Sequence, residues 1–408
     1  MADPASLPIR RNSILLAAAL AMSSAMLQLS AAVASLTLVS VLDIDGLLGL
    51  GPAIVLAAGA LTALPAGRAM DRAGRVPVLA LGFGTGAAGC ALAALGSATA
   101  FAPAVLGGLM CVGAASAVAL LARTAAGDMY PPAHRARGIA MILFGSVFGA
   151  ILGPAVFSPL LSGRELSGDV LAQLWLAGSA FMLVGVVIVL FVRPDPKEIA
   201  RLISSRAGED VVEGTPAPLR ELLRRPGVIP ALLGAQASFG VMVGLMTLTG
   251  AVVVDHHGHS AEAVFPIIGA HVIGMYALVI VIGDVIDHIG GRPALSGGLL
   301  LMALAAISLL WVEGVFVTAI ALFVLGVGWN LSFVAATAEL ADSSEPWERG
   351  KLLGFNDLLS GATGASLALL GGLALTGFGV AALSLGATAL VVAPALWLLA
   401  RRRRPAYA

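Results

Sequence analysis

The stretch GRAMDRAGRVP, residues 67–77, sets four charged side chains, Arg68, Asp71, Arg72 and Arg75, between two apolar runs. Charge is expensive in hydrocarbon, so this segment reads as a tight polar rim between two crossings of a bilayer. The whole composition agrees. Of 408 residues, 59% are hydrophobic and 11% charged, and the mean hydropathy is +0.99, far outside the range of soluble domains. Formal net charge is zero, which leaves no global basic field for nucleic acid.

Working outward from that loop, runs of about 20 apolar residues suffice to cross a hydrocarbon core about 30 Å thick. Twelve such runs can be read, near 14–42, 47–66, 77–97, 101–122, 138–161, 173–192, 228–254, 264–283, 294–312, 315–338, 352–376 and 379–400. The expected fold is all-α, with twelve transmembrane helices in two six-helix bundles. The bundles are residues 1–192 and 228–408, and a charged linker, 193–227, joins them. Arg10 and Arg11 followed by ILLAAALAMSSA resemble a secretory or twin-arginine leader, but the apolar run continues to Leu42, too long for one, so it reads as a retained first helix.

With both termini cytoplasmic, 22 of the 23 Lys and Arg residues fall on the inner side and only Arg164 outside. That bias predicts a multi-pass membrane protein with both ends on the inner side. The two cysteines, Cys90 and Cys111, have no paired spacing and read as packed thiols. No constellation of catalytic groups is present, which argues against an enzyme.

A second copy of the opening element follows the eighth run: GDVIDHIGGRP, with Gly283, Asp287, Gly290 and Arg292. The G-x-x-x-D-R-x-G-R pattern between helices 2 and 3 resembles the signature of the major facilitator superfamily, as do the topology and the repeat. The resemblance implies a transporter working by alternating access, with Gly67, Asp71, Arg72, Gly74, Arg75 and Asp287 biasing one conformation of the cycle. In the second copy His288 stands where an arginine is usual. Helix 5 carries Gly145, Gly149, Gly153 and Pro154, a spacing that suits close helix contact and also resembles the glycine-proline motif of drug and proton antiporters.

Ionisable groups within apolar runs mark sites. His271 stands inside AVFPIIGAHVIGMYALVIVIG, with Met275 one turn on and on the same face; Met242 and Met246 are four apart in helix 7. By residue count Met246 lies level with His271 and Met242 with Met275, a ladder with rungs about 6 Å apart. Thioether and imidazole without carboxylate suit a soft cation such as Cu(I). His256, His257 and His259, in the outer loop DHHGHSAE, form a candidate capture site, and Met22 and Met26 in helix 1 are candidate cavity-lining residues with Trp329 and Asn330 in helix 10. Packing methionines and a polar turn are the plainer reading of the same residues.

MxxxM in helix 7 with HxxxM in helix 8 resembles the CcoA-type copper importers of this superfamily, which supply copper for cytochrome oxidase assembly. HHGHS, GVGWN and ERGKLLGFND add to that resemblance. It implies copper as the transported substrate, no cofactor, and a monomer in the bilayer with no nucleic-acid partner. Riboflavin or another small organic solute is the first alternative, with Trp329 and Asn330 as its contacts. A proton-coupled drug efflux antiporter is the second, although only His271 could then serve as a relay in mid-helix.

Overall fold

A computed structural model describes residues 7–42, 50–161, 164, 167–206, 216–253, 258 and 264–400. Its regular structure is helical: α1 (Ile9–Leu42), α2 (Leu50–Ala73), α3 (Arg75–Ala98), α4 (Ala102–Leu120), α5 (Ala122–Met129), α6 (Arg135–Leu143), α7 (Gly145–Leu161) and α8 (Gly168–Leu190) come first. Then follow α9 (Pro196–Arg206), α10 (Leu219–Leu222), α11 (Val228–Ala251), α12 (Val264–Tyr276), α13 (Val279–Ile289), α14 (Gly291–Ser308), α15 (Val315–Asp342) and α16 (Arg349–Ala400). Among the described residues, eleven helices are long and apolar enough to cross a membrane. Taken as one span, α12 and α13, which are bent by 46° at the break between them, bring the number to twelve. The chain is thus an all-helical membrane protein, and its apolar helices fall where the hydropathy pattern places them.

Several helices outrun their apolar cores. The second span reads as ending at Ala66, yet α2 continues to Ala73; the fourth reads as ending at residue 122, yet α5 carries it to Met129. These extensions hold charged side chains whose partners are supplied by other helices, so the chain remains helical and buried past the first charge. α16 contains two spans, Arg349–Leu375 and Gly377–Ala400, and kinks at Gly379, whose φ of 75° is open to glycine at little cost.

The chain divides into two compact units, one formed by Met1–Pro131, Met141–Leu219 and Ser344–Gly361, the other by Pro132–Ala140, Arg220–Ser343 and Ala362–Ala408. In the first, α3 packs on α4 and α8, α1 on α7 and α8, and α2 on α4. Trp175 of α8 is fully buried there, and its indole donates to the Thr37 hydroxyl at 3.0 Å. Gly145 and Gly149 of α7 lie against the Ala17 and Ala21 carbonyls of α1, where a side-chain methyl would collide. The helix 5 glycines therefore do serve close packing.

In the second unit α15 is the central helix, with α11, α12 and α14 packed on it. Large apolar side chains such as Leu61, Leu81, Phe316 and Phe378 are exposed on the outer surfaces, which fits a chain surrounded by lipid.

Candidate functional site

The opening stretch becomes a buried charge cluster in the first unit. Asp71, in the last turn of α2, accepts the backbone amides of Gly350 and Lys351 at 2.8 and 2.6 Å, which caps the N-terminus of α16. Arg75, the first residue of α3 and fully buried, donates to Asp71 at 2.8 Å, to Asp128 of α5 at 2.6 Å and to the Pro346 carbonyl at 2.6 Å. Arg349 reaches the other oxygen of Asp128 at 2.8 Å. Two carboxylates and two guanidiniums thus alternate in a desolvated chain, each satisfying the next.

Gly67 and Gly350 make this closeness possible, because a methyl on either would strike the carbonyl oxygen of the other. Gly74 precedes α3 at a φ of 96°, and Gly290 precedes α14 at 90°. Both glycines of the repeat are thus needed for the same positive-φ turn. Asp195 accepts the Val76 and Lys197 amides at 2.8 Å each. Lys197 donates to the Asp71 carbonyl, and burial, with Arg201 and Arg75 nearby, holds its ammonium below the usual lysine range. Arg72 is exposed, so Arg75 is the guanidinium that enters the cluster.

The second copy repeats the cap. Asp287 of α13 accepts the Ala136 and Arg137 amides at 3.1 and 3.0 Å, at the N-terminus of α6. Arg135 pairs with Asp342, and Arg137 with Asp284 at 3.2 Å. Arg292 approaches Glu339 at 3.8 Å. This copy is less buried, and it holds no guanidinium at position 288.

A second set of chemistry-bearing residues lies where α12 meets α15. Gly274 and Gly326 bring the two backbones into contact: a methyl on Gly274 would meet the Phe323 carbonyl, and one on Gly326 the His271 carbonyl. His271 is fully buried, and its Nδ1 lies 2.8 Å from the Leu322 carbonyl. A carbonyl only accepts, so the proton belongs on Nδ1 and the lone pair on Nε2, a buried atom with no hydrogen-bond partner. Asn330 donates to the Met275 carbonyl at 2.5 Å, beside the break that ends α12.

Trp329 stacks on Phe333 with centroids 4.9 Å apart and meets the edge of Tyr276 at 6.2 Å. Its indole Nε1 is buried and has no acceptor. Met242 and Met275 are buried and Met246 is half-buried, on the same two helices as expected, α11 and α12. The imidazole of His271 itself is bonded to α15 rather than to α11. Met22 and Met26 belong to the first unit, and Met26 is packed toward Gly178 of α8. His256, His257 and His259 lie outside the described residues. Among the described residues, no three His, Cys, Asp or Glu side chains converge as a metal site.

Sequence reading missed Asp128, Asp195 and the buried Arg123, which pairs with Asp357 at 2.5 Å. The available signal was charge interrupting apolar text, as in LLARTAAGDM.

The chain matches the model of the Major Facilitator Superfamily over residues 14–329 and 267–408. An uncharacterized MFS-type transporter of Bacillus subtilis, YdeG, is 33% identical over 356 residues, covering 84% of this chain and 81% of that protein. The riboflavin transporter RfnT of Brucella anthropi is 32% identical over 326 residues, covering 77% and 76%. Among solved structures, the human organic anion transporter MFSD10 has a TM-score of 0.76 at 16% identity, covering 96% of this chain and all of that one. A double Trp mutant of XylE reaches 0.78 at 14% identity, over 96% and 95%. Those two likenesses show the fold alone, but the family match and the bacterial relatives go further: the chain belongs to the Major Facilitator Superfamily and is a secondary transporter, not an enzyme.

Proposed function

We propose that this transporter carries a small organic solute with a planar aromatic ring system, of the flavin type, and that the Trp329–Phe333–Tyr276 cluster binds it. The observation that carries this reading is the Trp329 indole, stacked on one side and holding a buried N–H with no acceptor. An unpaired buried donor is costly, and a ring edge rich in carbonyl and nitrogen acceptors would satisfy it. Similarity to RfnT supports the same class of solute.

Copper import is the second reading, and one observation favours it. His271 presents a fixed, unpartnered Nε2 lone pair inside the bundle, one turn from the soft Met275 thioether. Met242 and Met246 would complete the ligand set from α11. In either case the chain works by alternating access between two six-helix bundles, 1–192 and 228–408, joined by 193–227. It sits in a bacterial inner or plasma membrane with both termini cytoplasmic, the orientation that the arginine and lysine bias favours.

Uptake separates the two. In cells lacking their own flavin and copper importers, the parent chain is expected to accumulate riboflavin, and Trp329→Ala to lose about tenfold or more of that uptake at equal membrane abundance, a change of about 1.4 kcal/mol. Copper accumulation that Met242→Ala and His271→Ala abolish, with no riboflavin uptake by the parent, would overturn the flavin reading in favour of the metal.

A further inference from the structure

Between α11 and the two halves of α16 the second unit holds apolar space. One cavity, of about 290 Å³, is walled by Gly240 and Gly244 of α11, by Gly371 of the first half of α16 and by Ala382 and Gly386 of the second. A neighbouring cavity, of about 680 Å³, runs from Leu233 and Gln236 of α11 to Pro394 and Trp397. Leu367 and Leu390 line both, so the two form one groove. Leu370 and Leu390 on its wall are 56% and 45% exposed, so it opens to the surface of helices that cross the membrane.

The first unit shows what protein alone does at the matching place. The two halves of such a transporter are repeats, so spans 1 and 6 correspond to spans 7 and 12. There α1 and α8 close on each other: Trp175 is fully buried and donates to Thr37, and Gly178 lies against Leu29 and Met26. In the second unit the twelfth span offers Ala382, Gly386 and Ala387 instead, and a methyl added to Gly386 would meet nothing within 4 Å. Small residues that face open space do not serve helix contact. An unfilled void forfeits dispersion contacts along its whole lining, and within a bilayer the filler at hand is hydrocarbon.

The dimensions and the two ends of the groove suit a lipid. Ala382 to Trp397 covers about 22 Å of helix, against about 15 Å for the hydrocarbon of one leaflet. Among the described residues the wall is apolar except for the Trp397 indole, Gln236 and Thr363, whose hydroxyl donates to the Gln236 amide oxygen at 3.4 Å. A charged solute would therefore find no counter-charge inside. Trp397 marks the end where α16 stops and α11 begins, and an indole suits the boundary between hydrocarbon and headgroups. Arg224, which is exposed, stands four residues before α11, and Arg401 to Arg404 follow α16 directly in the sequence. Such a run of cations beside a membrane span recognises anionic headgroups.

We propose that this groove is a lipid site: one acyl chain of an anionic phospholipid lies between α11 and the second half of α16, with its phosphate at the arginine-rich end beyond Trp397. The chain fills the seam that Trp175 fills in the first unit and so braces the twelfth span. The site is separate from the Trp329 cluster, and the proposal does not depend on which solute is carried.

Native mass spectrometry of the purified transporter, stripped of lipid and titrated with dioleoyl phosphatidylglycerol or dioleoyl phosphatidylcholine, tests it. The parent should take up one phosphatidylglycerol at a concentration about tenfold or more below that needed for phosphatidylcholine. Gly386→Leu, which places a side chain in the groove, should lose this tight adduct, and Gly377→Leu, outside the groove, should keep it. Changing Arg401, Arg402, Arg403 and Arg404 together to Gln should remove the preference for phosphatidylglycerol while a lipid still binds. Equal uptake of the two lipids by the parent, a preference that survives loss of the four arginines, or Gly386→Leu binding as the parent does would overturn the proposal. If Gly386→Leu does not fold, phosphatidylglycerol with brominated acyl chains decides it on the parent. It should quench saturably the part of the tryptophan fluorescence that Trp397→Phe removes, and absence of that quenching would overturn the site.

Discussion

Asp71 and Asp287 do the same work in the two halves of the chain. Each stands at the end of a membrane-crossing helix and accepts the amides of the second and third residues of another helix, Gly350 and Lys351 of α16 in one case and Ala136 and Arg137 of α6 in the other. A carboxylate at a helix N-terminus satisfies orphan donors and meets the positive end of the helix dipole. The motif repeated in the sequence is therefore a repeated cap, one within each compact unit.

The two caps differ in depth, and that difference gives the first prediction. Asp71 is buried and bonded to Arg75, so Asp71→Ala leaves a desolvated guanidinium and should cost about 3–5 kcal/mol. Asp287 is half-buried, and Asp287→Ala should cost about 1 kcal/mol, an ordinary capping loss. Thermal unfolding of the two variants in one detergent checks the order; equal losses would contradict it.

Gly350 admits no side chain while the cap is formed. A methyl there would meet the Gly67 carbonyl and lie 2.7 Å from the Asp71 carboxylate. Gly350→Ala should lower the unfolding midpoint and reduce solute uptake, whereas Gly377→Ala, with nothing within 4 Å of the new methyl, should be tolerated. Comparing midpoint and uptake for both variants tests this.

Asn330 secures the bend between α12 and α13. Its amide donates to the Met275 carbonyl next to the break, and Asn330→Ala would strand a buried acceptor at a cost of about 1–3 kcal/mol. Hydrogen exchange should quicken in Val264–Ile289 and remain unchanged in α3. Protection in α12 equal to that of the parent would show that the bend does not need this bond.

Much of the fold was legible because hydropathy over about 20 residues is a strong and local signal. The apolar spans follow from it, and the close-packing face of helix 5 follows from its glycine spacing. Partner choice was not legible. Asp71 finds its amides 279 and 280 residues away, and Arg349 finds Asp128 at 221, separations at which no periodicity constrains the pairing. Reading helix ends at the first charge failed for the same reason, since those charges are paired across the fold. His271 stood out by type alone, yet its bond to the Leu322 carbonyl depends on the register of α12 against α15. Trp329 could be singled out, and Phe333 lies one turn from it, but the approach of Tyr276 needed coordinates.

Equilibrium binding of riboflavin to the purified transporter tests the central claim most directly. Stacking on Trp329 should quench flavin fluorescence in a saturable titration, and Trp329→Ala should weaken the affinity about tenfold or more, since one aromatic contact and one hydrogen bond are lost together. A titration in which the parent shows no saturable quenching, or in which Trp329→Ala binds as the parent does, would contradict it.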